Sequence, residues 1–334
     1  MNDLSFGIYL QSYLAPLAAY LERPDVTDIF VNRPGELWVE TIGGGTERHD
    51  APELTDLALA RLARQVASHS AQGISREHPL LSASLPGGSR VQIALPPATR
   101  GDIALAIRKH VASGMSLDDF AFFGGQCEQP SGLEQAASAT SGRRARALVN
   151  RREDAGNFLK TAVRQRKNIL ISGGTSSGKT TLLNALIQEV PQDERLILIE
   201  DAPELLLSHA NSVGLIAARS ALGEARIGIE DLLIASLRMR PDRIIMGELR
   251  GREVETFLRA INTGHPGSIS TIHADSPERA IDQMALILML AGSSMSWENI
   301  VEYIYRSISV IVQVERRSGK RYISSVVELN DNVD

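Results

Sequence analysis

Cysteine is nearly absent: Cys127 is the single one in 334 residues. One thiol excludes an internal disulfide and leaves no Cys-x-x-Cys zinc module, which suits a reducing cytoplasm. Aromatic residues are also scarce, at 4% against 43% hydrophobic residues in all, a composition of an ordinary soluble protein. No excess of one charge stands out, and a formal net charge of −5 offers no global attraction to nucleic acid or anionic lipid. Any such contact must be local. Long hydrophobic runs are missing except for the uncharged stretch from Leu4 to Leu21, and that one contains Ser5, Gln11, Ser12 and Pro16. Asp3 stands where a signal peptide would carry positive charge. Leu10, Leu14, Leu17 and Leu21 fall on one face of an amphipathic helix, so a core or docking helix is expected rather than a membrane span. Internal repeats and low-complexity tracts are absent as well.

What is present is concentrated in SGGTSSGKTT, residues 172–181. Gly173, Gly178, Lys179 and Thr180 fit G-x-x-x-x-G-K-[ST], after an apolar run from Asn168 to Ser172 and before a helical pattern from Thr181 to Ile187. Strand, glycine loop and helix follow in the order a phosphate loop requires. Backbone N–H groups can wrap a phosphate chain only where side chains do not intervene, and the helix directs its positive dipole end at the same charge. Gly173, Gly174, Thr175, Ser176, Ser177, Gly178, Lys179, Thr180 and Thr181 are therefore the expected nucleotide-binding residues. Lys179 would reach the β- and γ-phosphates, and the Thr180 hydroxyl would serve Mg²⁺.

The length of 334 residues allows two domains with separate cores. Residues 1–125 read as an α+β domain, with strands at 28–32 and 36–40, a helix over 54–68, and strands at 90–95 and 102–108. Residues 126–152 read as a linker, carrying Arg143, Arg144, Arg146, Arg151 and Arg152. That cluster could face lipid, nucleic acid or a neighbouring subunit, or could simply be solvated. Residues 153–334 alternate strand and helix patterns, as an α/β domain with a mostly parallel sheet would. Strands at 196–199 and 243–246 both end in acids, and ligands of such sheets sit at the carboxyl ends of strands.

Glu200, Asp201 and Glu204 follow the first of these strands and Glu248 the second. Carboxylates gathered there repel one another unless a cation or ordered water engages them. The segment from Asn262 to Ala274 adds His265 and His273 among glycines and threonines. A neutral imidazole can donate to a phosphate oxygen and report its loss after hydrolysis.

GGTSSGKTTLLNAL, ERLILIEDAPEL, LRMRPDRIIMGELRG and NTGHPGSISTIHADSPERA resemble, in order, the Walker A, Asp, Walker B and His boxes of the secretion and traffic ATPase superfamily. The wording is most similar to the VirB-type ATPase of bacterial type IV secretion, and VNRPGELWVE, SRVQIALPP and AIRKH extend the likeness into the N-terminal half. The resemblance implies an α/β fold in which a RecA-like P-loop motor follows a smaller α+β domain, assembled as a hexameric ring with nucleotide held between the two domains. It implies ATP and Mg²⁺ as cofactors. It further implies work at the cytoplasmic face of the inner membrane, with a peripheral membrane contact, beside secretion-channel and other secretion ATPase subunits. Direct nucleic-acid binding is not expected. The strand ending Met246-Gly247-Glu248 lacks the Asp of an ordinary Walker B box, which leaves the division of labour between Glu204 and Glu248 open.

The resulting expectation is an ATP-hydrolysing motor for substrate translocation or pilus assembly, with the ATPase of a related conjugation or pilus system, or a slowly turning nucleotide-gated platform, as alternatives. A GTPase is disfavoured by the lack of an Asn-Lys-x-Asp motif. The catalytic set expected is Lys179, Glu204, Glu248, His273, Arg90 and Arg108, with Thr180 and Glu204 serving the metal directly or through water. Arg90 and Arg108 lie near opposite ends of two N-terminal strands, on segments that the resemblance aligns with a phosphate-facing surface.

Overall fold

The computed structural model describes residues 4–42, 44–86, 88–109, 115–122, 148–150, 155–218, 226–317 and 320–329. The linker arginines Arg143, Arg144, Arg146, Arg151 and Arg152 lie outside the described residues, as does Cys127. The chain forms two compact units, one of residues 1–112 with 201–204 and 216–229, the other of 113–200, 205–215 and 230–334. No helix among the described residues is long and apolar enough to cross a membrane.

The first unit opens with helix α1 (Leu4–Glu22) and continues through β1 (Val26–Val31), β2 (Gly35–Thr41), β3 (Thr46–Ala51), α2 (Asp56–His69), β4 (Leu80–Ser84), β5 (Arg90–Ala94) and β6 (Ala104–Arg108). The strands form one antiparallel sheet in the order β3-β2-β1-β6-β5-β4. Alternation aims Val91, Ile93, Leu105 and Ile107 into the core, where they meet Leu10, Leu14 and Leu17 of α1 and Leu59, Leu62 and Val66 of α2. Full burial of such a side chain is worth about 1.5–3 kcal/mol, so α1 is held by its leucine face and belongs to this core. Thr55 starts α2 by accepting a hydrogen bond from Ala58 N at 3.2 Å. Glu36, buried on β2, accepts from Arg33 and Arg48. Those two bonds, Arg33 first, pull its carboxyl down to about 2.

In the second unit β7 (Ala121–Phe122), β8 (Leu148–Asn150), α3 (Ala155–Arg164), β9 (Ile169–Gly173), α4 (Lys179–Gln188), β10 (Leu196–Glu200) and β11 (Ser212–Ile216) come first. They are followed by α5 (Ile229–Ser236), β12 (Arg243–Met246), α6 (Glu253–Asn262), β13 (Ile269–Ile272), α7 (Pro277–Leu290), α8 (Trp297–Ser307), β14 (Val310–Arg317) and β15 (Lys320–Leu329). The sheet order is β11-β10-β12-β13-β9-β14-β15-β7, with β8 also on β15. From β10 through β14 the neighbours are parallel, while β15 returns antiparallel to β14. Strands buried on both faces are continuously apolar, and every residue of β9, β10 and β12 is buried.

This order puts β9 between β13 and β14, with its carboxyl end continuing into the glycine loop and α4. At the amino end of β12, fully buried Arg243 gives two hydrogen bonds to Glu194, at 2.7 and 2.8 Å, and one to Val163 O. His265, which the sequence groups with His273, bonds Pro241 O at 2.9 Å through Nδ1. Pro241 precedes β12 and His265 precedes β13, so this histidine ties together the ends of the sheet opposite the glycine loop.

Candidate active site

The glycine loop is shaped by its close approaches. Gly178 begins α4 at φ 103°, a left-handed conformation that favours glycine. A Cβ on Gly173 would stand 2.5 Å from Ser177 Oγ and 2.6 Å from Val314 O, so that position too admits no side chain. Ser177 Oγ is itself buried without a hydrogen-bond partner among the described residues. A cradle of bare backbone with an unsatisfied hydroxyl beneath it, at the head of a helix, fits a phosphate chain.

Lys179 points back across this cradle. Its ammonium donates to Gly173 O at 2.9 Å and Gly174 O at 3.0 Å, and it lies 3.9 Å from Glu248 Oε1. Burial lowers its pKa, while Glu248 opposes that shift. His273, just beyond β13, approaches from the other side, with Nδ1 3.3 Å from Lys179 Nζ and Nε2 3.1 Å from Thr175 Oγ1. An ammonium has no lone pair, so Nδ1 is the acceptor, and the imidazole proton then sits on Nε2 and is donated to Thr175. The carboxylate of Glu248 is 3.6 Å from the same Nδ1.

The sheet fixes these side chains through its neighbouring loops. Thr271 Oγ1 donates to Gly247 O at 2.7 Å, and Leu249 N donates to Thr271 O at 2.8 Å, clamping Glu248 between them. Arg250 Nε donates to Glu248 Oε2 at 2.6 Å, and Glu253 Oε1 accepts from the backbone of Arg250 and Gly251. Ser172 and Gln313 both donate to Ala274 O, which anchors the backbone next to His273. Lys179, Glu248, His273 and Thr175 are thus brought together from β9, β12 and β13.

The other expected residues sit in the first unit. Arg90 and Arg108, placed near opposite ends of their strands by sequence, are direct cross-strand partners because β5 and β6 run antiparallel. Arg108 also pairs in register with Asp28 of β1, and its Nε lies 3.0 Å from Asp28 Oδ1. Arg90 Nε is 2.7 Å from Glu204 Oε1, an ion pair by proximity whose alignment is too poor for a hydrogen bond. Of the acids near Glu204, Glu200 is buried and accepts from Leu205 N at 2.7 Å, shaping its own loop.

Sequence reasoning passed over Arg250, whose grip on Glu248 was signalled only by its place in GELRG. It also missed Arg321 of β15, which lies against Gly178. No sequence motif marks that residue.

Residues 135–320 match the family described as Type II/IV secretion system protein. The type IV secretion system protein VirB11 of Bartonella quintana (strain Toulouse) is 40% identical over 324 residues, covering 94% of this chain and 91% of that protein. PtlH of Bordetella pertussis (strain Tohama I) is 38% identical over 323 residues, covering 95% of this chain and 93% of its own length. The solved structure of the pilus retraction motor PilT with bound ADP superposes with a TM-score of 0.62 at 21% identity, over 95% of this chain and 82% of that one, a likeness of fold. With a family match over more than half of its length and relatives near 40% identical along almost all of it, this chain belongs to the type II/IV secretion system protein family.

Proposed function

We propose that this chain is the ATP-driven motor of a bacterial type IV secretion system, working as a hexameric ring to power substrate translocation, pilus assembly or both. It is an ATP-hydrolysing enzyme. The observation that carries the reading is the convergence of Lys179, Glu248 and His273 at the carboxyl ends of adjacent parallel strands, around the head of α4. Ligands of open α/β sheets bind at that edge.

The nine residues from Gly173 to Thr181 would hold the phosphates, with Lys179 exchanging its loop carbonyls for β- and γ-phosphate oxygens. Thr180 and Glu204 would hold Mg²⁺, directly or through water, and the ion when bound would neutralise charge on the phosphates. Glu248 would act as base toward the attacking water, its free oxygen Oε1 being the one turned to Lys179 and His273. His273 would donate from Nε2 to the γ-phosphate in place of Thr175, so that its contact is lost with the phosphate. Arg90 and Arg108 would offer guanidinium groups to the phosphates from the N-terminal domain, here assigned to residues 1–125, with 126–152 as linker and 153–334 as motor.

The ring would work at the cytoplasmic face of the inner membrane with secretion-channel and other ATPase subunits as partners. Light scattering of the purified chain with a non-hydrolysable ATP analogue, alongside phosphate release with and without Mg²⁺, tests the reading. Six protomers and Mg²⁺-dependent release are expected. A monomer with full turnover would overturn the ring, and no release under any condition would overturn the motor.

A further inference from the structure

Glu248 and His273 reach the phosphate loop from β12 and β13, on one side of β9, and Lys179 turns its ammonium toward them. The opposite side belongs to β14 and β15, and there Arg321 stands directly across from Arg316. Its stem is packed on the loop: a Cβ added to Gly178 would come within 2.7 Å of Arg321 Cδ and 3.2 Å of Cγ and Nε. The guanidinium is only half-buried, yet its hydrogen bond goes to the sulfur of Met115 at 3.7 Å, a weak acceptor. Among the described residues no carboxylate pairs with it. Burial and then the neighbouring Arg316 push its pKa down. A partly desolvated cation facing another cation, with a thioether for an acceptor, is unfavourable until an anion reaches it.

The loop gives that anion a direction. If the γ-phosphate lies toward Lys179, Glu248 and His273, the chain of phosphates runs past the head of α4 and its other end emerges on the β14–β15 side. We propose that Arg321 is a further nucleotide-binding residue, whose guanidinium takes the α-phosphate end of ATP or ADP beside Gly178. The proposal rests on the reading of this loop as the ATP site. Arginine suits the task because its planar fork can engage two phosphate oxygens while its stem stays packed on the loop. Contact with a phosphate that ATP and ADP share would hold the nucleotide through hydrolysis, leaving discrimination between the two to the γ-phosphate side.

Calorimetric titration of ADP and of a non-hydrolysable ATP analogue into the full-length chain, with KM and melting temperature in parallel, tests this in wild type, Arg321→Met and Arg321→Lys. Methionine keeps an unbranched stem over Gly178 and removes the charge. Loss of a charged hydrogen bond predicts that Arg321→Met weakens both nucleotides by a similar factor, about 10- to 100-fold, and raises KM in step. Arg321→Lys, which keeps the charge without the fork, is expected to fall between the two. Equal ADP affinity in folded Arg321→Met and wild type would overturn the proposal. So would a loss confined to the ATP analogue, which would place Arg321 at the γ-phosphate. Wild type that binds neither nucleotide would instead sink the reading of the loop itself.

Discussion

Lys179 Nζ and Glu248 Oε1 stand 3.9 Å apart, with His273 Nδ1 within 3.6 Å of the carboxylate and 3.3 Å of the ammonium. A cation, an acid and an imidazole that meet at one point come from three separate strand ends, and none is adjacent to another in sequence. Such a meeting has little to do with stability, since each group is at least partly desolvated for it. On the proposed function, this charge would be redirected toward a phosphate.

Lys179→Ala is the first expectation. The ammonium is asked to stabilise charge on the β- and γ-phosphates in the transition state, and the loss of one such contact costs on the order of 10² to 10³ in rate. Phosphate release by the purified variant measures it. Wild-type turnover in Lys179→Ala would mean that the loop is not the site.

Glu248→Gln separates the two acids. The change keeps size, removes the base, and retains an amide oxygen that Arg250 can still hold, so ATP is expected to bind while single-turnover hydrolysis falls by on the order of 10² to 10⁴. Glu204→Gln is expected to act through the metal, and its loss should vary with Mg²⁺ concentration. Normal hydrolysis in Glu248→Gln beside complete loss in Glu204→Gln would reverse the roles.

His273→Ala tests the sensor. Its side chain is half exposed and its partners are loop groups, Thr175 and Lys179, so the fold does not depend on it. Nucleotide affinity is expected to stay within about twofold while hydrolysis falls by on the order of 10- to 100-fold, as for loss of a single hydrogen bond to a charged group. A large drop in melting temperature without nucleotide, with activity retained below it, would make His273 a buttress instead.

Much of the sheet in the second unit was legible because strands buried on both faces spell continuous apolar runs, as Ile169 to Ile171 and Leu196 to Ile199 do. Edge strands carry no such signal. β3 reads Thr-Glu-Arg-His-Asp-Ala and is strand only because β2 pairs with it along its length. Register was equally hidden: nothing in the separate segments around Arg90 and Arg108 reveals that antiparallel pairing sets them side by side. His265 and His273 share one segment, and only the parallel topology shows that they serve opposite ends of β13. Arg321 lay beyond reach because its meaning comes from a glycine in a distant segment.

The pairing of Arg90 with Arg108 carries the last expectation. Like charges directly opposite one another on neighbouring strands are destabilising, and here each guanidinium has an acid beside it, Glu204 for Arg90 and Asp28 for Arg108. A guanidinium carries five N–H donors, more than a single carboxylate takes up, so each arginine keeps donors for a phosphate. Arg108 is the better placed, since Leu105 and Ile107 are buried and it is exposed at the end of β6. On this reading phosphate binding draws the N-terminal domain onto ATP, and release follows hydrolysis. Arg108→Ala is expected to lower turnover by roughly 10- to 100-fold and to blunt the compaction that a non-hydrolysable analogue produces in the ring, with the melting temperature nearly kept. The double variant Arg90→Ala/Arg108→Ala should abolish that compaction. Small-angle scattering with and without the analogue, together with steady-state phosphate release, measures both. If the double variant compacts and turns over like wild type, the two arginines do no more than close salt bridges on the sheet.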